Sequence, residues 1–325
     1  MSPLGRAKAS GLTRVKPSTI AAMPGDATPA AAAAVVAALG RALGGVWAVH
    51  ALGASGFCAT WQARCGERLR FVKTGAGPAA AALHAEADGL RSLAATGTIR
   101  VPAIDALVDG DGTTLLALEW LDLRAPGAGF GERFGRALGA LHAAPVDPPR
   151  YGWPRDNVLG ATPQRNRPTS GGDTRDWIAF VARERLGAMQ ARLDPRRDAA
   201  LIDAVDDVVA VLPALFADGH APRPSLIHGD LWSGNWGMLA DGTPVVYDPA
   251  VSWSDAEAEL AMMELFGAPP AGFWPAYRDT AGLHPGYARR RPTYQLYHLL
   301  NHVVLFGGGY RAQALGVARA AASWP

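Results

Sequence analysis

Cysteine is nearly absent: Cys58 and Cys65 are the only two in 325 residues, and no C-x-x-C pair occurs. That excludes a disulfide-stapled scaffold and points to a reducing compartment, so a cytoplasmic location is expected. An excess of either charge is also missing, because 31 Lys and Arg stand against 29 Asp and Glu for a net charge of +2. Such a balance supplies no broad field for nucleic acid or an anionic membrane, and a compact small-molecule site fits better. Long apolar runs are lacking as well. The longest near the start, residues 27–43, is broken by Pro29, Gly40 and Arg41, so no transmembrane helix is implied. No internal repeat is visible.

What is present is enough apolar content, 49%, to bury a substantial core, and a length that suggests two domains. Residues 1–26 carry Arg6, Lys8, Arg14 and Lys16 against one acid, Asp26, and read as a disordered arm. A transit peptide would share that composition, and Met23 is an alternative start. After a first helix ending near Leu43, strand-like runs at 46–52, 57–63 and 69–73 form an antiparallel meander. Residues 79–95 have helical spacing, and 103–108 with 113–118 read as a hairpin around Asp109, Gly110, Asp111 and Gly112. Residues 27–120 are therefore a sheet with one packed helix. Residues 121–325 turn mainly helical, at 130–142, 174–192, 197–217, 256–266, 294–306 and 311–323, with short strands at 226–228 and 245–247. The proline-rich stretch 144–172 reads as a long ordered loop, a class of segment that is often functional.

The densest chemical signal is LIHGDLWSGNWG at 226–237, followed by VVYDPA at 245–250. Phosphoryl transfer from ATP needs a carboxylate beside the acceptor hydroxyl and oxygen ligands for magnesium on the phosphates. Asp230 is placed as the base, and Asn235, five residues on as in the kinase catalytic loop, as a magnesium ligand. Asp248 falls where the second metal-binding Asp is expected. His228 reads as a structural residue bracing the loop through backbone hydrogen bonds. FVKTG at 71–75 supplies Lys73 on the third strand, and Glu86 lies on the following helix, where an ion pair with that lysine is the natural reading and a solvated surface acid the alternative. Gly53 and Gly56 mark a turn whose amides could approach phosphates, although an ordinary hairpin would look the same. Cys58 beside it reads as a small buried apolar residue. The segment LLALEWLDL at 115–123 makes Glu119 and its neighbours candidates for a hinge whose backbone binds adenine.

These residues resemble the fructosamine kinases, or ketosamine 3-kinases, in the aminoglycoside phosphotransferase-like branch of the protein-kinase-like fold. The resemblance runs from about Val46 to Ala314 and is carried by HGDLWSGN (228–235), DPA (248–250), DNVLGATPQRN (156–166), DWIAFVARERL (176–186), LAMMELFG (260–267) and YQLYHLLNHVVLFGGGY (294–310). It implies an α+β bilobal fold, with a small antiparallel-sheet lobe carrying one helix and a larger helical lobe. It also implies ATP- and Mg2+-dependent phosphorylation of a ketoamine sugar hydroxyl, on a small molecule or a glycated protein lysine, in deglycation. By the same resemblance Asp230 is the base, Asn235 and Asp248 carry magnesium, Lys73 and Glu86 orient phosphates, and Trp232 with Asn157, Gln164 and Asn166 lies near the sugar. Aromatic platforms and side-chain amides are common holders of sugars, though tryptophan also serves packing. Tyr294, Tyr297, His298 and His302 share a helix face and read as core. Two departures stand out. Ala256 occupies a customarily basic position and Glu259 replaces an Asp after the DPA motif, which weakens the case for an ion pair supporting the catalytic loop, and the phosphate turn lacks customary glycines. A phosphotransferase for another hydroxylated amine, such as an aminoglycoside or choline, and a nucleotide-binding module without phosphotransfer are the alternatives.

Overall fold

The computed structural model describes residues 28–55 and 58–323. The expected disordered arm at 1–26 and Gly56 lie outside the described residues. No described helix is long and apolar enough to cross a membrane.

The first lobe is built on strands β1 (Ala48–Ser55), β2 (Cys58–Cys65), β3 (Arg68–Ala76), β4 (Ile104–Gly110) and β5 (Thr113–Glu119), with helices α1 (Pro29–Leu43) and α2 (Pro78–Ala95). The sheet is antiparallel in the order β1-β2-β3-β5-β4, so the first three strands form the expected meander and the last hairpin enters with β5 inside. Its turn carries Asp111 and Gly112 at φ 51° and 73°, the pair of positive angles that matches a tight hairpin to strand twist. Period-two alternation divides the strands between two cores. Leu115 and Ala117 face α1 with Trp61, Val72 and Leu39, whereas Leu116 and Leu118 face α2 and join the core that runs into the second lobe. Two helices therefore cover the sheet, one on each face. Helix α1 seals the outer face, and α2 is left between the sheet and the second lobe.

The second lobe begins with α3 (Phe130–Ala143). A two-stranded hairpin, β6 (Asn157–Leu159) and β7 (Thr162–Gln164), lies inside the proline-rich stretch that read as a loop. Helix α4 (Thr174–Phe180) starts from a capping box at Asp173 and Asp176, passes into a π-helical turn at Val181–Leu186, and ends as α5 (Gly187–Gln190). After α6 (Ala199–Leu215) come four short strands: β8 (Pro224–Ile227), β9 (Trp236–Met238), β10 (Pro244–Val246) and β11 (Ser252–Asp255). β8 pairs with β11 and β9 with β10, so the HGD and DPA loops are held at the ends of two antiparallel pairs. Helices α7 (Ala256–Leu265), α8 (Phe273–Ala281), α9 (Tyr287–Phe306) and α10 (Tyr310–Ala322) complete the lobe.

Helix α9 starts seven residues before the expected 294, with Pro292 inside it. Buried Arg290 offsets the proline's lost hydrogen bond by pairing with Glu257 and Asp218 at 2.7 and 2.6 Å. Helix α8 was not anticipated. It crosses α3 over Gly131, Gly135 and Gly139, where an added Cβ would collide with Ala271 O, Phe273 O and Thr280 respectively, so glycines four apart permit close backbone approach.

Candidate active site

Lys73 sits on the central strand β3 and is only 4% exposed, which is costly for an unpaired ammonium. It is not unpaired. Its Nζ donates to both carboxylate oxygens of Glu86 on α2, at 2.9 and 2.8 Å, and to Asp248 Oδ1 at 2.7 Å. Burial works against the lysine's charge, but the Asp248 and Glu86 carboxylates outweigh it and raise its pKa. Burial pushes Glu86 up to about 7 despite the lysine. The expected Lys73–Glu86 pair is thus present and buried, and the solvated-acid alternative does not apply. Cys58 lies buried in the neighbouring core with its thiol pushed up to about 11 by burial, an inert small apolar residue.

The HGD loop leaves β8 and is pinned from below. Glu259, on α7 and fully buried, accepts from the backbone N–H groups of His228 and Gly229 at 2.7 Å each, and from His142 Nε2 at 3.3 Å. His142 Nδ1 in turn meets Tyr277 Oη at 2.9 Å. Burial alone would raise the Glu259 pKa, but His142 and the two amides lower it, so the carboxylate is ionised. The customary Asp is therefore replaced by a longer acid that grips the loop without the missing basic residue. His228 bonds from Nε2 to Tyr247 O at 2.9 Å, and the Asp230 N–H donates to its Nδ1 at 3.3 Å, which matches the expected bracing role. Gly229, at φ 84°, has no room for a side chain because a Cβ would strike Ala250 O.

Asp230 is half-buried, and Asn235 Nδ2 donates to its backbone O at 2.8 Å and its Oδ2 at 3.3 Å. Burial, then the charge of Asp248, pushes Asp230 up to about 7, within the range of a general base that works near neutrality. The Tyr247 N–H donates to Asn235 O at 3.0 Å and the Ala250 N–H to His228 O at 2.8 Å, so the DPA loop is laced to the HGD loop. Asp248 is held in the left-handed region at φ 60° with its side chain 36% exposed. Among the described residues, Asp248 Oδ2 and Asn235 Oδ1 have no protein hydrogen-bond donor. Two unclaimed oxygens beside a buried ammonium fit a hard, oxygen-seeking cation such as Mg2+.

Around this centre the remaining residues divide. Gly53 sits in β1 at a bulge, φ 131°, with open space where a Cβ would be. The Glu119 N–H is spent on Ala103 O at 2.9 Å, and its carboxylate holds Arg100 and the Ala103 N–H, so its side chain is not simply solvent-facing. No loop hydrogen bond among the described residues uses the backbone of Leu121, Asp122 or Leu123, where the chain crosses between lobes. Trp232 is half-buried, outside both apolar cores, with its ring folded over Gly234. Asn157, Gln164 and Asn166 are buried, and their amides are engaged internally. Asn157 Nδ2 donates to Val251 O, Gln164 Nε2 to Ala250 O and Asn157 Oδ1, and Asn166 Nδ2 to Asn157 Oδ1. Tyr297 Oη donates to Gln164 Oε1, and Arg185 to Asn166 Oδ1. Tyr294, Tyr297 and His298 are buried as expected, and His302 is half-buried among Phe266, Phe306 and Tyr310. The sequence did not announce the role of His142, whose sole hint was its place at the end of a helix of four-spaced glycines.

Comparison with known proteins agrees with this geometry. The profile of the fructosamine kinase family matches residues 45–321. A Synechocystis protein designated a probable ketoamine kinase is 43% identical over 249 residues, which cover 77% of this chain and 81% of that one. A chloroplastic protein-ribulosamine 3-kinase of Oryza sativa subsp. indica is 36% identical over 254 residues, 76% of this chain and 70% of that one. Among solved structures, a fructosamine-3-kinase candidate from Thermobifida fusca superposes with a TM-score of 0.75 at 33% identity, covering 88% of this chain and 98% of that one. The aminoglycoside phosphotransferase APH(4)-Ia shares the fold alone, with a TM-score of 0.61 at 16% identity over 90% of this chain and 98% of that one. A bilobal kinase-like architecture with the HGD and DPA loops at its centre, matched over most of its length, makes this chain a member of the fructosamine kinase family.

Proposed function

We propose that the protein is an ATP-dependent kinase that phosphorylates a sugar hydroxyl, the 3-hydroxyl, of a fructosamine or ribulosamine. The observation that carries the reading is the juxtaposition of a base poised near neutrality, Asp230, with the buried Glu86–Lys73–Asp248 chain. Lys73 is oriented to neutralise ATP phosphates, and residues 121–123 offer backbone groups to adenine. Asn235 and Asp248 would hold Mg2+, which would supply positive charge to offset that of the phosphates. The sugar hydroxyl, beside Asp230, attacks the γ-phosphorus; its proton passes to an Asp230 carboxylate oxygen, and the bond to the β,γ-bridging oxygen breaks to release ADP. Trp232, half-exposed beside the base, is placed to lie along the sugar ring. Once the aminomethylene carbon on the ketone's other side loses a proton, the enaminol's electrons can expel phosphate from the third carbon, and water then hydrolyses the resulting imine to free the amine. That chemistry suits the removal of sugars from amines, whether small molecules or protein lysines.

The test is ADP release with a panel of fructosamine, ribulosamine, an aminoglycoside and choline at saturating Mg2+. Turnover confined to the ketoamines supports the assignment. Turnover of the aminoglycoside or choline instead, or Asp230→Ala with full turnover, overturns the substrate or the base respectively.

A further inference from the structure

The segment from Gly152 to Asn166 touches both ends of the Glu86–Lys73–Asp248 chain, at equivalent places. On α2, two residues past Glu86, Asp88 Oδ2 accepts from Trp153 Nε1 at 2.8 Å, and Arg155 approaches the same oxygen at 3.6 Å. Past Asp248, the carbonyls of Ala250 and Val251 accept from Gln164 Nε2 at 3.1 Å and Asn157 Nδ2 at 2.8 Å. The segment is itself anchored. Gly152 and Trp253 exchange two backbone hydrogen bonds at 2.9 and 2.8 Å, and the Trp153 and Trp253 rings lie 4.7 Å apart. Tyr297 and Arg185 hold the far side of the amides. Helix α2 completes the contact, since a Cβ on Gly89 would lie 3.1 Å from Pro249 and 3.2 Å from Val251.

We infer that the 152–166 segment is a brace that fixes the separation of Glu86 and Asp248, and so acts on the nucleotide and its metal rather than on the sugar. Two carboxylates converging on one buried lysine need such a device. Unless both are held, the lysine can collapse onto one of them, which misplaces its ammonium for the phosphates or Asp248 for the metal. The amides of Asn157, Gln164 and Asn166 have their hydrogen bonds within the brace, so they are positioning residues acting through Asp248, and Trp153 acts through Asp88 and α2. The inference rests on the proposed reading only in taking Lys73, Glu86 and Asp248 as the nucleotide side of the site.

The experiment compares wild type with Trp153→Phe, which keeps the ring and removes the Nε1 donor, and with Asp88→Ala, which removes the acceptor. Calorimetric binding of the ATP analogue AMP-PNP, with and without Mg2+, is read beside the KM of any ketoamine that is turned over. The expected result is affinity for Mg2+·AMP-PNP at least fivefold weaker in both variants, binding without Mg2+ weakened as well because Lys73 faces the phosphates, and ketoamine KM within twofold of wild type. Unchanged Mg2+·AMP-PNP affinity, or a rise confined to the ketoamine KM, overturns the brace. Asp88, with a side chain 28% exposed, carries the test if Trp153→Phe fails to fold. Absence of turnover with every ketoamine in the wild type would defeat the proposed activity while leaving the calorimetric comparison decisive for the brace.

Discussion

Replacing Asp230 by Asn should abolish phosphotransfer and make the protein more stable at alkaline pH. In the folded metal-free chain burial and Asp248 raise the Asp230 pKa to about 7, above its ordinary value of 3.8. A folded-state pKa above the unfolded one means that folding disfavours the charged carboxylate. The group therefore costs nothing below the unfolded pKa, and its cost grows as pH rises to the folded pKa, where it levels off. At about 1.36 kcal/mol per unit the ceiling is roughly 4 kcal/mol, and partial solvation in the cleft reduces this to about 1–2 kcal/mol. Asn keeps the shape and can still accept from Asn235 Nδ2 through its own oxygen. Thermal melts in EDTA at pH 8 should show Asp230→Asn higher by about 2–8 °C, at roughly 2–4 °C per kcal/mol. The gain should shrink as pH falls toward the ordinary carboxylate pKa and vanish near about pH 3. An Asp230→Asn melt equal to or below wild type at pH 8, or a gain that persists undiminished at pH 4, would refute the placement of Asp230 as a desolvated base.

The same shift predicts that kcat/KM falls as pH drops through about 7, because the base must be deprotonated, and that saturating Mg2+ moves the limb to lower pH by stabilising the carboxylate; a pH profile flat from 5.5 to 8 would contradict it. Lys73→Met should leave the Glu86 and Asp248 carboxylates without their cation, costing about 2–4 kcal/mol in urea unfolding and removing measurable turnover. Glu259→Gln should loosen the His228 and Gly229 amides and cost about 1.5–3 kcal/mol, with kcat reduced more than KM in steady-state assays. Gly135→Ala should force α3 from α8 and lower stability by about 1–3 kcal/mol in the same unfolding assay, with kcat/KM little changed.

The grouping of the candidate site residues was legible because phosphoryl-transfer chemistry fixes both residue type and spacing. An acid and an amide five residues apart, a second acid after a short apolar strand, and a lysine on a third strand leave few alternative arrangements, and all four meet in the cleft. Strands and helices with strong periodicity were found within a few residues. The losses had physical causes. Strands β6, β7, β9 and β11 are three or four residues long, too short for period-two alternation to register. Helix α8 follows two prolines and a glycine, and only the Gly131, Gly135 and Gly139 series on its partner announces it. Helix α9 runs through Pro292 because Arg290 is anchored by acids on other elements. Amides near a sugar-enzyme motif invite a sugar-binding role, yet Asn157, Gln164 and Asn166 are buried with their hydrogen bonds spent on each other and on the DPA loop. Hydrogen-bond satisfaction is a property of the folded chain, and no spacing rule contains it.

The most direct test of the kinase assignment is 31P NMR of the protein incubated with ATP, Mg2+ and a ribulosamine or fructosamine. The account predicts a phosphomonoester resonance coupled to the proton on the third sugar carbon, appearing in step with ADP and absent with Asp230→Asn. ADP formed with inorganic phosphate as its only initial partner, or a phosphomonoester undiminished in Asp230→Asn, would contradict it.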